Sequence, residues 1–112
     1  MPFINTNTNV EISKDKELAL KSRLGKAIEL LGKSESWLMI SFEDKCSMYF
    51  KGENTPMAFV DISVFGKSTD AQCEKMTVEV CKIFGEELSI PADKIYVKYS
   101  GSSQWGWNNM NF

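Results

Sequence analysis

The sequence contains no histidine among its 112 residues. This absence excludes Ser-His-Asp and Cys-His catalysis, histidine metal sites and a histidine-based pH switch. An acid–base reaction near neutral pH therefore needs another group that titrates there. A basic footprint for nucleic acid is also missing, because 13 Lys and Arg stand against 15 Asp and Glu and leave a net charge of −2.

Cysteines are few, and their spacing indicates neither a metal site nor a redox centre. Cys46, Cys73 and Cys81 form no C-x-x-C motif, which argues against a zinc knuckle and a thioredoxin-type centre. Cys73 and Cys81 lie about 12 Å apart along one predicted helix, too far for a disulfide. We expect reduced, half-buried thiols and folding in a reducing compartment, and we predict no metal or cofactor.

Long apolar runs are absent as well. The first thirty residues lack the apolar run of a signal peptide, and no stretch reaches the roughly eighteen apolar residues of a membrane span. We therefore expect a soluble protein made in the cytoplasm, with no membrane partner and with any secretion independent of a signal peptide. The length and the 43% apolar fraction predict one domain, residues 1–112, with its own core.

The chain consists of two similar halves, and each half predicts a strand, a helix and a strand. Apolar residues recur at helical spacing in two segments and alternate with polar residues in others. The predicted elements are an extended segment at Phe3-Ile4, a helix from Ser13 or Asp15 to about Leu31 that Gly32 ends, a strand at Trp37–Phe42, a hairpin arm at Ser47–Phe50, a strand from Met57 to Phe65, a helix capped by Thr69 and reaching Leu88, a strand at Ile95–Tyr99 and a loop from Gly101 to Asn109.

This pseudo-repeat predicts an α+β fold. A parallel crossover is right-handed, so two such units related by a pseudo-twofold give a four-stranded mixed sheet with both helices on one face. The other face is then left uncovered. Because Trp37–Phe42 and Met57–Phe65 place apolar residues on both faces, we expect copies of the chain to bury that face in a homo-oligomer.

Pro2 is the one residue whose nitrogen suits base catalysis. A methionine before a small residue is normally removed, which leaves a proline with a free secondary amine. Free α-amino groups titrate at roughly 7.7–8.0, and apolar burial and nearby cations lower that pKa. A neutral amine can take a proton from a carbon next to a carbonyl. A retained Met1 would make this nitrogen an amide without basicity, and Met-Pro also begins many proteins in which proline has no chemical role.

Short motifs spread along the whole chain form a specific set. They are Met1–Ile4, Asn7–Val10, Leu31–Lys33, Met48–Phe50, Gly66-Lys67, Ile95–Tyr99 and Gly106–Asn109. Together, in this order and with only small gaps, they resemble the macrophage migration inhibitory factor family of the tautomerase superfamily. The resemblance implies a tautomerase-like homotrimer whose sheets wrap into a central barrel flanked by the helices.

The resemblance also implies an activity, the keto–enol tautomerisation of aromatic 2-oxo acids such as phenylpyruvate. Pro2 matches the general base, which is active only when Met1 is removed. Lys33 matches a lysine that pairs with the substrate carboxylate and would depress the pKa of Pro2. Phe65 replaces an aliphatic residue whose backbone contacts substrate, and Tyr96 matches a pocket tyrosine from the neighbouring subunit. The positions that match the pocket rim are Trp37, Trp105 and Phe112.

The sequence departs from the family pattern at three places. Lys98 stands where relatives often carry asparagine, so it could also pair with a carboxylate or change substrate preference. Trp105 replaces a small aliphatic residue at the mouth of the pocket. Met57 and Val60 occupy the positions of the family's C-x-x-C, so we expect no thiol-oxidoreductase activity.

Three functions fit this resemblance. The first is the tautomerase, which the retention of Pro2, Lys33 and Tyr96 slightly favours. The second is a secreted cytokine-like protein that binds a cell-surface receptor and whose proline pocket is not turned over; it is compatible with the first. The third is a trimeric scaffold that binds small molecules without turnover.

Overall fold

Two helices pack on one face of a four-stranded sheet in the computed structural model, which describes all residues, 1–112. The spatial order of the strands is β2-β1-β3-β4, and a two-stranded hairpin follows near the end of the chain. No helix is both long and apolar enough to cross a membrane. The elements are β1 (Pro2–Thr8), α1 (Lys14–Ala27), β2 (Met39–Glu43), β3 (Ala58–Phe65), α2 (Asp70–Leu88), β4 (Ile95–Ser102), β5 (Gly106–Trp107) and β6 (Met110–Asn111).

The helices begin and end where local chemistry dictates. Ser13 caps α1 by accepting the backbone N–H of the third residue after it, and Thr69 caps α2 in the predicted capping box. The α-helical part of the first segment stops at Ala27, and a 3-10 turn at Ile28–Leu31 continues it. Gly32 then takes φ +72°, the left-handed conformation that glycine adopts without a steric penalty.

The strand pairing confirms the two β-α-β halves. β1 is parallel to β2 and β3 is parallel to β4, while β1 and β3 run antiparallel in the centre. The register sets Pro2 opposite Val64, and Val64 beside Gly101. The beginning of the chain therefore lies where β3 ends, at one end of the sheet.

The core forms between the helices and one face of the sheet. Along β1 and β3 every second residue is buried, which is the pattern of a sheet covered on one side. Arg23 of α1 also bonds the carboxylates of Glu86 (2.7 Å) and Glu87 (3.0 Å) and joins the helices on their outer surface. The fully buried side chains that fill the core include Ile4, Leu20, Leu24, Ile28, Val60, Ile62, Met76, Val80, Ile83 and Phe84.

Several predicted boundaries were wrong. Trp37 lies in a 3-10 turn, and β2 begins two residues later as a half-exposed edge strand. The hairpin arm reduces to one bridge between Phe50 and Glu53. The segment predicted as a loop, Gly101 to Asn109, contains the end of β4, the strand β5 and the turn of the β5–β6 hairpin. The turn residues Asn108 and Asn109 have φ of +53° and +65°. Asn tolerates this conformation, which two-residue hairpin turns require.

The uncovered face of the sheet is polar in its middle, which corrects the expectation of an apolar face. Asn5 bonds Ser41 (2.6 Å) and Glu43 (3.1 Å), and Asp61 lies beside Asn5 in register. Apolar side chains occupy the two ends of this face instead. The sequence misled because Phe59 and Phe65, which lie on this face, flank two polar positions of β3 that share it.

All three cysteines are free and half-buried, as predicted. Burial raises the pKa of the Cys73 and Cys81 thiols above its usual value, and a nearby Asp70 adds to the effect at Cys73. The thiol form, which is the poorer nucleophile, is therefore favoured at both positions.

Thr6 and Thr8 offer a matched test of buried polar groups, because both are fully buried on the core face of β1. The Thr6 hydroxyl has no hydrogen-bond partner, whereas that of Thr8 donates to the Met57 carbonyl at 2.6 Å and accepts the Val10 N–H at 3.2 Å. We predict that Thr6→Val stabilises the protein by about 1 kcal/mol and that Thr8→Val destabilises it by about 1–3 kcal/mol. Urea unfolding at one fixed protein concentration measures both. Equal losses in the two variants would contradict this account.

Candidate functional site

The beginning of β1 meets the end of β3 and a lysine from the first helical segment. Phe65 donates its backbone N–H to the Met1 carbonyl at 3.0 Å. The Lys33 ammonium donates to the Phe65 carbonyl, also at 3.0 Å. Pro2 is buried between these groups and the core, on the helix-facing side of the sheet. The structure thus brings Pro2, Lys33 and the Phe65 backbone together.

The turn at Gly32 delivers the lysine to this position. The N–H groups of Gly32 and Lys33 bond the carbonyls of Glu29 (2.9 Å) and Ile28 (3.4 Å), which closes the helical segment. The chain then leaves towards β2, and the half-buried Lys33 side chain crosses to the end of β3. A side chain at Gly32 would be strained by the left-handed backbone, so the position of the ammonium depends on this glycine.

The electrostatic environment at the beginning of the chain favours an uncharged amine. Partial burial is the main cause that lowers the pKa of the Met1 α-amino group, and the positive charge of Lys33 lowers it further. Both effects disfavour the ammonium form. A larger fraction of the Met1 amine is therefore unprotonated near neutral pH than of the same amine in water.

A row of aromatic rings continues from Phe65 along the rim of this region. The ring of Phe65 lies 5.5 Å from that of Phe112, and Phe112 stacks on Trp107 at 6.3 Å. Trp107 in turn meets Trp37 edge-to-face at 5.0 Å. Trp37, Trp107 and Phe112 are each about half exposed, so the rings form an open apolar surface rather than a core.

Trp107, and not the predicted Trp105, contacts the other aromatic rings of this rim. Trp105 lies in the turn before β5, where its carbonyl accepts the N–H of Phe112 at 3.0 Å, and its ring stacks on none of the rim aromatics. The hairpin explains the difference, because β5 pairs with β6 and presents Trp107 beside Trp37. The Asn-Asn pair after Trp107 was the available signal, since it is typical of a two-residue hairpin turn.

Tyr96 and Lys98 lie elsewhere in the chain. Tyr96 is level with Phe59, five residue pairs from the level of Pro2, or about 16 Å along the strands. Its ring packs on Phe50 at 5.0 Å. Both Tyr96 and Lys98 belong to the uncovered face, whereas Pro2 is turned towards the helices. Neither residue can complete the Pro2 site of its own chain.

The main cavities of the single chain do not include the site either. The largest, of about 500 Å³, lies between α1 and the edge strand β2 and is lined by Leu18, Glu35 and Leu38 among others. The other four lie beside α2, in the segment after β2 and at the end of β4. Pro2 and Lys33 therefore line none of these five cavities.

Comparison with known proteins identifies the family. A sequence model described as macrophage migration inhibitory factor (MIF) matches residues 1–112. The chain belongs to the macrophage migration inhibitory factor family. Its sequence is 27% identical to that of the macrophage migration inhibitory factor of Meriones unguiculatus. The alignment of 114 positions covers all of this chain and 99% of that protein.

Solved structures of MIF homologues share the fold. The crystal structure of Leishmania major MIF2 matches with a TM-score of 0.94 and 34% identity over 100% of this chain and 97% of that one. The MIF homologue from Prochlorococcus marinus matches with a TM-score of 0.88 and 30% identity over 98% of each chain. These matches confirm the predicted tautomerase/MIF-like fold.

The electrostatics of this MIF-family site are testable on the Met1 amine. We predict that a chemically synthesised, refolded chain that keeps Met1 shows an α-amino pKa below the roughly 7.7–8.0 of free peptides. Lys33→Gln should raise that pKa, because it removes the neighbouring positive charge. Nuclear magnetic resonance titration of a ¹⁵N-labelled Met1 measures the value, and Lys82→Gln on the outer side of α2 is the charge-matched control. A pKa that Lys33→Gln leaves unchanged would contradict the assigned cause.

Proposed function

We propose that this MIF homologue, once Met1 is removed, is a keto–enol tautomerase of aromatic 2-oxo acids of the phenylpyruvate type. The observation that carries the proposal is the position of the amino end of β1, partly desolvated and beside the Lys33 ammonium and the Phe65 backbone. Membership of the family supports isomerase chemistry of this kind.

The Met1 carbonyl indicates where a substrate oxygen would bind. It accepts the Phe65 N–H and is covalently attached to the Pro2 nitrogen. Removal of Met1 frees that N–H and creates an amine in one step. A carboxylate oxygen of the substrate then accepts the freed Phe65 N–H, and the Lys33 ammonium, which bonds the Phe65 carbonyl, neutralises its charge.

The proposed reaction moves one proton. The neutral Pro2 amine takes a proton from the carbon next to the keto group, and the electron pair of the broken C–H bond forms the C=C bond of the enol. The keto oxygen receives a proton from the resulting ammonium, so the base is restored. The aromatic ring of the substrate packs on the exposed rings of Trp37, Trp107 and Phe112.

We propose a homotrimer in which Tyr96 of a neighbouring copy closes each site. Tyr96 is 60% exposed although it belongs to an aromatic cluster with Phe50 and Phe59. The rim beside Pro2, at the other end of the same sheet, carries the half-exposed rings of Trp37, Trp107 and Phe112. A second copy that sets the Tyr96 end of its sheet against this region covers both apolar surfaces.

A cell-surface receptor and secretion without a signal peptide remain predictions that rest on the family resemblance alone. They are compatible with the enzyme. Receptor signalling that persists in Pro2→Gly protein would assign the two functions to different features of the chain.

The tautomerase is tested by three chains assayed with phenylpyruvate. We predict turnover by the chain that lacks Met1, and a loss of about 100-fold or more in Pro2→Gly, because the glycine amine lacks the ring that fixes the base. The chain that retains Met1 should be inactive, since its Pro2 nitrogen is an amide. Intact-mass spectrometry confirms the amino terminus of each sample. Equal rates in the processed chain and in Pro2→Gly would overturn the proposal.

The shared site is tested by complementation. We predict that Pro2→Gly and Tyr96→Ala trimers are each impaired, and that a 1:1 mixture unfolded and refolded together regains about a quarter of the wild-type activity per site, because one interface in four then combines an intact Pro2 with an intact Tyr96. The same mixture without unfolding is the control. Full activity in Tyr96→Ala, or a stable folded monomer in sedimentation at working concentration, would contradict the proposal.

A further inference from the structure

Lys98 lies two residues after Tyr96 on β4. The two residues alternate with Val97 on β4, so both side chains project from the uncovered face, about 7 Å apart along the strand. Both side chains are exposed. A neighbouring copy that contributes Tyr96 to a Pro2 site therefore brings Lys98 to the same place.

Lys98 forms no ion pair within its own chain. The five ion pairs of the structure do not include it, although Asp61 is its direct neighbour in register on β3. By contrast, Lys94 at the same end of the sheet pairs with Glu53 at 3.5 Å and lies over the ring of Phe50. Lys98 is thus an available cation on a face that the proposed trimer encloses.

We infer that the composite site contains two ammonium groups, Lys33 from one protomer and Lys98 from its neighbour, and that its ligands carry two anionic groups. This inference rests on the proposed function. The 2-oxo acid carboxylate binds Lys33 and the Phe65 N–H, and a second carboxylate or an equivalent anion on the aromatic ring binds Lys98. A dianionic ligand gives each ammonium a charged hydrogen bond, whereas a monoanionic ligand makes none with Lys98 and binds more weakly.

The inference is tested with two unreactive ligands that differ by one carboxylate, cinnamate and 4-carboxycinnamate. We expect the processed wild-type trimer to bind 4-carboxycinnamate about tenfold more tightly than cinnamate, the value of one charged hydrogen bond. Isothermal titration at low ionic strength measures both dissociation constants. The preference should fall towards one in Lys98→Asn and should decrease with added salt.

Lys82→Gln is the control, because Lys82 lies exposed on α2 and its loss changes the net charge by the same amount. It should keep the tenfold preference. Equal affinity for the two ligands in the wild type, or a preference that survives in Lys98→Asn, overturns the inference. If that result comes with turnover of phenylpyruvate, the proposed function stands and only the dianion preference fails. If phenylpyruvate is not turned over and neither ligand binds, both fail.

Discussion

The hydrogen bond from Lys33 to the Phe65 carbonyl joins three parts of the chain that are distant in sequence. It fixes the end of the first helical segment against the end of β3, and β3 in turn pairs with the beginning of β1. A positive charge is thereby held next to the position where the mature chain begins. Burial lowers the pKa of the Met1 amine, this positive charge lowers it further, and the proposed carboxylate site uses the same ammonium.

The same sheet has two chemically different ends. One end carries Pro2, Lys33 and the rim aromatics, and the other carries Tyr96 with Phe50 and Phe59. Between them the uncovered face is polar, with a hydrogen-bonded row around Asn5. This face therefore cannot form an interface by apolar contacts alone. Its apolar ends suit contact between copies of the chain, as the proposed trimer requires.

Sequence reasoning predicted the fold well where local chemistry and periodicity act together. The cap at Thr69 and the terminating glycine at Gly32 were predicted, and Ser13 was one of two candidate caps, because these conformations follow from side-chain hydrogen bonds and backbone freedom. Trp107 was missed because its place on the rim depends on a hairpin of two-residue strands, too short for a periodic pattern. The polar middle of the sheet was missed because strand register, which decides the neighbours of Asp61, is a long-range property.

The central claim is that the mature Pro2 nitrogen is neutral near neutral pH because burial and Lys33 disfavour its charged form. The most direct measurement is a ¹⁵N nuclear magnetic resonance titration of proline-labelled protein from which Met1 has been removed. The account predicts a pKa for Pro2 clearly below that of a free α-amino group, roughly 7.7–8.0. A Pro2 nitrogen that keeps its proton up to or beyond that range in the folded assembly would contradict it.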